Sequence, residues 1–344
     1  VVARLGRKRS FGGLLDMALA TLVRKYGFFF GLAAITLLIL LDPTGKAAAL
    51  GKVIKSHHGP DVAICLIFLL SGLLLPSDQI RAGLTERGGT FLALGLIFIV
   101  SPLTGYLLSL GPIDPGIKAG LILTAVMPAT LSSGVVMTAA AGGNLAHALL
   151  LTLLSNTLSV FTIPFSLTLL LGLKGGMAAV PFDRSQMMLQ IGSLVLAPLF
   201  LGLFLRRFSS FMPARLDRWV PIVNQTLVII IVWMALSQAR ETMARERLDL
   251  LAVGLTSFLF HGFLLGFGFL SCRLLRMGPG RRESVIFMGG QKTLPLSLIL
   301  QVTLFPGLGL ALAFCVIHHV IHLMMDGYLV GRLARAKTLS PSRR

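Results

Sequence analysis

Ten apolar runs, each close to the length needed to cross a bilayer, fill the chain from Tyr26 onward. No other feature restricts the fold as much. A transmembrane helix takes about 20 apolar residues, because the hydrocarbon core is about 30 Å thick. Inside that core the chain has to satisfy its own backbone polar groups, which leaves helices for runs of this kind. The runs lie near 26–42, 60–75, 89–110, 116–141, 145–172, 186–206, 219–239, 249–272, 283–304 and 307–331. Composition agrees: mean hydropathy is +0.86, with 55% hydrophobic and 13% charged residues, against about 25% charge in soluble domains. A disordered chain would have low hydrophobicity. The expected fold is an all-α polytopic membrane protein with ten transmembrane helices.

The net charge of +18 raises nucleic acid as a partner, until the charges are assigned to segments. With the N-terminus in the cytoplasm, the inside segments hold 21 of the 31 Lys and Arg residues and the outside segments nine. Cationic loops accumulate on the cytoplasmic side of a membrane. The excess is therefore topological: it predicts both termini in the cytoplasm, in a plasma or bacterial inner membrane, with the lipid bilayer as partner and no nucleic acid. Residues 1–25 are expected to form a cytoplasmic segment in which Leu15, Ala18, Leu19 and Leu22 repeat at the spacing of an amphipathic helix. Residues 334–344 form a basic cytoplasmic tail. Cys65, Cys272 and Cys315 have no paired spacing, which argues against a disulfide framework or a structural zinc site.

The polar stretch Lys174–Gln186 divides the runs into two sets of five. An odd number per half means that, if the halves are related, the second is inverted. Residues 26–173 and 186–333 are then a first five-helix repeat and a second, inverted one. Inverted repeats place a substrate site near the midplane, between interrupted helices at matching positions. The fourth run of each half carries such an interruption. One is Met127-Pro128-Ala129-Thr130-Leu131-Ser132-Ser133-Gly134, the other Gly289-Gly290-Gln291-Lys292-Thr293-Leu294-Pro295. Proline removes an amide donor and breaks the turn before it. Half-helix N-termini freed in this way favour an anionic group, and free carbonyls favour a cation. Pro102, Pro164 and Pro198 also sit inside runs, where they read as kinks. The candidate crossover and substrate-binding residues are Pro128, Thr130, Leu131, Ser132, Ser133, Gly134, Gly290, Gln291, Lys292, Thr293 and Pro295.

Polar residues elsewhere in the runs extend this list. Thr152, Ser155, Asn156 and Ser159 share one helical face, where they serve either the site or interhelical hydrogen bonding. His318, His322 and Asp326 share another face, a histidine–carboxylate stripe open to a proton-relay or metal reading. His318-His319-Val320-Ile321-His322 lacks the glutamate of the zinc-protease arrangement, and no metal site is assigned. Asp326 lies near a predicted helix end, where solvent would reach it, and His261 reads as a hydrogen-bonded packing residue. Lys292 is the one Lys or Arg in the middle of a run, Lys118 and Arg206 lying at run ends. A cation there costs about 2.5–3.5 kcal/mol on insertion scales, so it must face a cavity, find a partner or lose its proton. The ion-coupling candidates are Ser133, Thr152, Asn156, Gln291, Lys292, His318 and His322, with Na+ or H+ as the ion. An intramembrane hydrolase would need a nucleophile–base pair. Ser132 or Ser133 with His318 follows no spacing rule for one, and no enzymatic activity is expected.

Together the interruptions, Phe68-Leu69-Leu70-Ser71-Gly72-Leu73 and Gly142-Gly143-Asn144 resemble the bile acid:sodium symporter superfamily. They are most similar to its sodium-dependent transporter branch, which includes solute carrier family 10 member 7. The resemblance covers residues 26–333. It implies a panel of helices 1, 2, 6 and 7, a core of helices 3–5 and 8–10, crossing helices 4 and 9, and transport by alternating access. It also implies two sodium ions behind the crossing, and here the match is partial. Ser133 and Thr152 stand at positions that supply sodium ligands in relatives. Gly134 replaces an asparagine and Ala148 a serine. A bridging glutamate falls at Met288, or at Phe287 with a one-residue shift, and a glutamine falls at Ile97. The expected function is secondary active transport of a small or amphipathic organic anion. The alternative is a regulatory membrane protein, for example of calcium handling, without solute symport.

Overall fold

The structure is a computed structural model that describes residues 27–28, 30–172, 183–208, 216–245 and 249–338. The amphipathic reading of residues 1–25, most of the stretch dividing the two sets of runs and the end of the basic tail lie outside the described residues. What is described is helical. In chain order the helices are α1 Phe30–Leu41, α2 Lys46–Ser56, α3 Gly59–Leu74, α4 Ser77–Gly83, α5 Arg87–Ser109, α6 Pro115–Ala125, α7 Ser133–Ala140 and α8 Leu145–Gly172. They continue with α9 Arg184–Arg206, α10 Leu216–Arg245, α11 Leu250–Leu274, α12 Arg282–Gly290, α13 Leu294–Leu304 and α14 Gly309–Thr338.

The expectation of ten transmembrane helices is wrong. Among the described residues seven helices are long and apolar enough to cross a membrane, or eight if the bent pair α1–α2 is one span. Three of the ten runs account for the difference. The first stops at Leu41, where Asp42 accepts hydrogen bonds from the amides of Thr44 and Ala47 (2.8 and 3.0 Å). Gly45 then takes φ +67°, and the chain turns by 110° into α2. The second, α3, has only 16 residues. The run at 116–141 divides into α6, with 11 residues, and α7, with eight. At 1.5 Å per residue neither half reaches across a core of about 30 Å. Hydropathy sums over a run and does not register a break inside it.

The break at 291–293 leaves α12 and α13 close enough in line to count as one span, Arg282–Leu304. Of its most apolar window 94% is buried, against 28–61% for the other six, so this span runs through the middle of the protein.

The helices pack in two groups. In one, α3 lies against α9 and α10, and α10 against α2. At the α3–α9 crossing a Cβ on Gly72 would meet the Leu199 carbonyl at 2.2 Å, and one on Gly202 would meet the Leu69 carbonyl at 2.1 Å. Only glycine permits that approach. In the other group α14 packs on α11 and α6, and α12 on α7, α11 and α5. Helix α5 widens into a π-helical turn at Leu96–Val100, just before Pro102. Such turns appear where the regular ladder is interrupted.

Candidate functional site

The two interruptions meet. Helix α6 ends at Ala125, because the residue before a proline is pushed out of the helical region, and residues 126–132 are non-helical. Helix α12 ends at Gly290, Gln291 is extended, and α13 starts with Pro295 in its first turn, where the missing N–H has no consequence. The Thr293 amide donates to the Pro128 carbonyl at 3.1 Å, joining one break directly to the other.

Gln291 is the hub. Its side-chain carbonyl accepts from the hydroxyls of Thr130 (2.9 Å) and Ser133 (2.7 Å). Its side-chain amide donates to Asp326 Oδ2 at 2.7 Å and to Met137 Sδ at 3.0 Å. Thr130 Oγ1 also accepts from the Gly134 amide at 3.0 Å, capping the first turn of α7 as a threonine at a helix start can.

Lys292, 1% exposed, extends away from that network. Its ammonium donates to the Met127 carbonyl at 3.1 Å and the Ile97 carbonyl at 3.3 Å. Both acceptors follow from backbone breaks. In the π register Ser101 donates five residues back, to Leu96. The next bond in that register would join residue 102 to Ile97, and Pro102 has no N–H to give. Met127 lies beyond the end of α6, whose negative dipole end also favours a cation.

On the other side of the breaks is a cavity of about 100 Å³. Thr130, Leu131, Ser132, Ser133, Thr293 and Pro295 line one wall of it, and the N-termini of α7 and α13 both open there. The facing wall comes from Ile67 and Ser71 on α3 and from Asn224, Gln225 and Val228 on α10. Asn224 Nδ2 donates to Ser71 Oγ at 3.1 Å, and Asn224 Oδ1 has no partner among the described residues.

The other candidates fall elsewhere. Gly134 packs beneath the cavity, where a Cβ would meet Met288 Sδ at 2.7 Å. A Cβ on Gly290 would come within 3.3 Å of the His261 ring. Asn156 donates to the Ala129 carbonyl at 3.2 Å, bracing the first break from behind. Thr152 is buried behind the break; its hydroxyl donates to the Ala148 carbonyl of its own helix at 3.0 Å, and its carbonyl accepts from Asn156 Nδ2 at 2.8 Å. His318 and His322 are buried away from the cavity. Asp326 is not solvated: it is fully buried and accepts from Gln291, and its other oxygen is 2.9 Å from His261 Nε2. The hydrogen-bonding partner of His261 is thus the Asp326 carboxylate. Sequence reasoning also missed His319, Asn224 and Gln225 on the cavity wall. Two adjacent amides inside an apolar run were the available signal for the last two. The described residues contain no grouping of three or more His, Cys, Asp or Glu arranged to hold a metal ion.

Comparison with known proteins decides the family. The profile of the SBF-like CPA transporter family matches residues 26–335. The chain belongs to that family. It is a polytopic membrane transporter related to the bile acid:sodium symporters, so the resemblance carried by the motifs holds. Relatives in the family include the probable sodium/metabolite cotransporter BASS4, chloroplastic, of Arabidopsis thaliana, 31% identical over 309 residues that cover 85% of this chain and 70% of the relative. The Oryza sativa subsp. indica protein of the same name is 27% identical over 334 residues, covering 92% and 77%. Sodium/bile acid cotransporter 7 of Xenopus tropicalis is 26% identical over 348 residues, covering 95% and 98%.

Proposed function

We propose that this chain is a secondary transporter that carries a small organic anion by alternating access through the cavity at the two breaks. The observation behind this reading is that the N-termini of α7 and α13 open on one cavity lined by hydroxyl groups. Helix N-termini offer free N–H donors and a positive dipole end to an anion. The Lys292 amine lies just behind them, at the same two breaks. A volume of about 100 Å³ is well below the roughly 300–1,000 Å³ of drug-sized sites, and so fits a small carboxylate better than a steroid. Movement of the α3–α9–α10 group against the breaks would open the cavity to one side and then the other. With the bent pair α1–α2 counted as one span the number is eight, an even count that keeps both termini on one side, read from the Lys and Arg bias as the cytoplasm, in a plasma or bacterial inner membrane.

Sodium is not the coupling ion in at least one of the two positions that relatives use. The glutamate expected there falls at Met288, or at Phe287 with a one-residue shift, and the asparagine at Gly134, where the Met288 thioether fills the space beside the glycine. Sodium is a hard cation that needs oxygen ligands. The Lys292 ammonium takes two carbonyls at the breaks and replaces one ion. Uptake into proteoliposomes tests this, with a panel of small mono- and dicarboxylates and with taurocholate as the bile acid. Uptake of a small carboxylate with sodium replaced by potassium is expected. Strict sodium dependence at constant pH and membrane potential would overturn the replacement. No uptake and no thermal stabilisation by any member would favour the regulatory alternative.

A further inference from the structure

We propose that His261, His318, His322 and Asp326 form a proton-binding site, connected through Gln291 to the cavity, that couples anion binding to proton uptake. The proposal rests on the reading of the cavity as an anion site.

The four residues are buried where α11 packs on α14. Ring centroids lie 5.5 Å apart for His261 and His322, 5.4 Å for His318 and His322, and 6.0 Å for His261 and His318. Among the described residues both ring nitrogens of His318 and of His322 lack a hydrogen-bond partner, as does Nδ1 of His261. A buried polar atom is ordinarily paired with protein or ordered water. Three imidazoles and one carboxylate thus share one buried pocket with hydrogen-bonding atoms to spare, and chains of histidine and carboxylate inside a membrane are the groups from which proton relays are built.

The charged and titratable groups acting on His318 and His322 are His261 from α11, His319 from α14 and Lys292 from the second break. Helix α6 carries Lys118, between the glycines that touch Leu310 and Phe314. Helices α7 and α13 carry no titratable residue, and α10 carries none from Trp219 to Ala239. Phe260 and Phe314 close the sides.

Two routes join the cluster to the cavity. His319 lines the cavity, and its ring centroid is 4.6 Å from that of His322. The second route runs from Asp326 through Gln291 to Thr130 and Ser133, and this one can act as a switch. With Asp326 ionised, the Gln291 amide donates to Oδ2, so its carbonyl faces the two hydroxyls and consumes their hydrogens. A proton placed on Oδ2 makes that oxygen a donor. The Gln291 side chain then turns over, accepts from Asp326, and donates to Thr130 and Ser133. Their hydrogens are released to the cavity, where an anion can accept them. One proton enters with one negative charge.

The test uses the full chain in lipid, labelled with isotopic aspartate and titrated by infrared spectroscopy from about pH 8 to about pH 5, above the interval in which exposed carboxyls titrate. A carboxylic C=O band carrying the aspartate isotope shift is expected to grow as pH falls. It should be absent in Asp326→Asn and move by about one pH unit in His261→Gln. The label excludes buried Glu283, and the wild-type and His261→Gln spectra decide the matter even if Asp326→Asn does not fold. In thermal unfolding, the carboxylate panel should stabilise the wild type more at the acid end of the range. Gln291→Leu should keep the band and lose that pH dependence. Absence of a titrating aspartate band overturns the proton site, and stabilisation that is equal across the range overturns the coupling. If no carboxylate stabilises the protein at any pH, the anion reading falls and the coupling with it, while a titrating band keeps the proton site.

Discussion

Lys292 is a cation held by backbone. No ion pair given by the described residues includes it, and its two acceptors are main-chain oxygens. The lysine stood out in the sequence because it is the only Lys or Arg in the middle of an apolar run. Its acceptors did not, because Ile97 and Met127 contribute through their carbonyls and their side chains say nothing of that. Asp326 was misread for a related reason: α14 continues as a helix to Thr338, beyond the apolar run, so a residue near the end of the run is enclosed. Replacing Lys292 with methionine keeps the length and removes the donor. Each stranded carbonyl costs about 1–3 kcal/mol, offset in part because a charge no longer has to be desolvated. Lys292→Met should lower thermal stability by a net of about 1–3 kcal/mol and abolish stabilisation by small carboxylates. A variant that unfolds like the wild type and still responds to them would remove the cation from the mechanism.

At the scale of elements, the two breaks were legible and the bend between α1 and α2 was not. Pro128 and the Gly289-Gly290…Pro295 pattern interrupt runs that are otherwise apolar, so a break was the natural reading. Asp42-Pro43-Thr44-Gly45 is an equally good turn, but it falls where a loop between two spans was already expected, and its 110° bend leaves no trace in hydropathy. Pro102 read as a simple kink. Its effect is larger, because it frees the Ile97 oxygen that Lys292 uses. Pro102→Ala returns an N–H to that turn. A proline inside a helix is unfavourable by about 3 kcal/mol, so the variant should unfold at the same or a higher temperature than the wild type. The returned amide competes with Lys292 for its acceptor, and stabilisation by small carboxylates should weaken. Stability and ligand response moving in opposite directions would separate this from an ordinary packing defect. If both fall together, Pro102 is only structural.

For the whole molecule, the hydrogen bonds divide with the packing. In the first group Arg206 donates to the Leu73 carbonyl, Trp233 to the Ala47 carbonyl at 3.1 Å, and Asn224 to Ser71. In the second, His147 bonds Ser284 at 2.7 Å, Arg281 pairs with Glu86 at 2.8 Å, and Gln291 binds Asp326. Where α10 meets α13, the side chains are largely apolar: Ile231 and Ala235 of α10 cluster with Leu298, Ile299 and Val302 of α13, with Lys55 and Pro60 at the margin. Apolar contacts are non-directional, so one group can slide on the other without breaking a polar network. That is the condition for a shear movement. The cavity lies on this boundary, with Gln225 on one wall and Ser132 on the other. Tying the walls together should therefore stop transport without unfolding the protein. Gln225→Cys with Ser132→Cys, made on a Cys65→Ser background because Cys272 and Cys315 are already buried, can be bridged by a reductant-cleavable bifunctional thiol reagent. Carboxylate uptake into proteoliposomes should fall to background on bridging and recover on reduction, while either single cysteine keeps most of its uptake after the same treatment. Uptake that continues through the bridged protein would mean that the two walls need not separate, and the sliding movement would have to be abandoned.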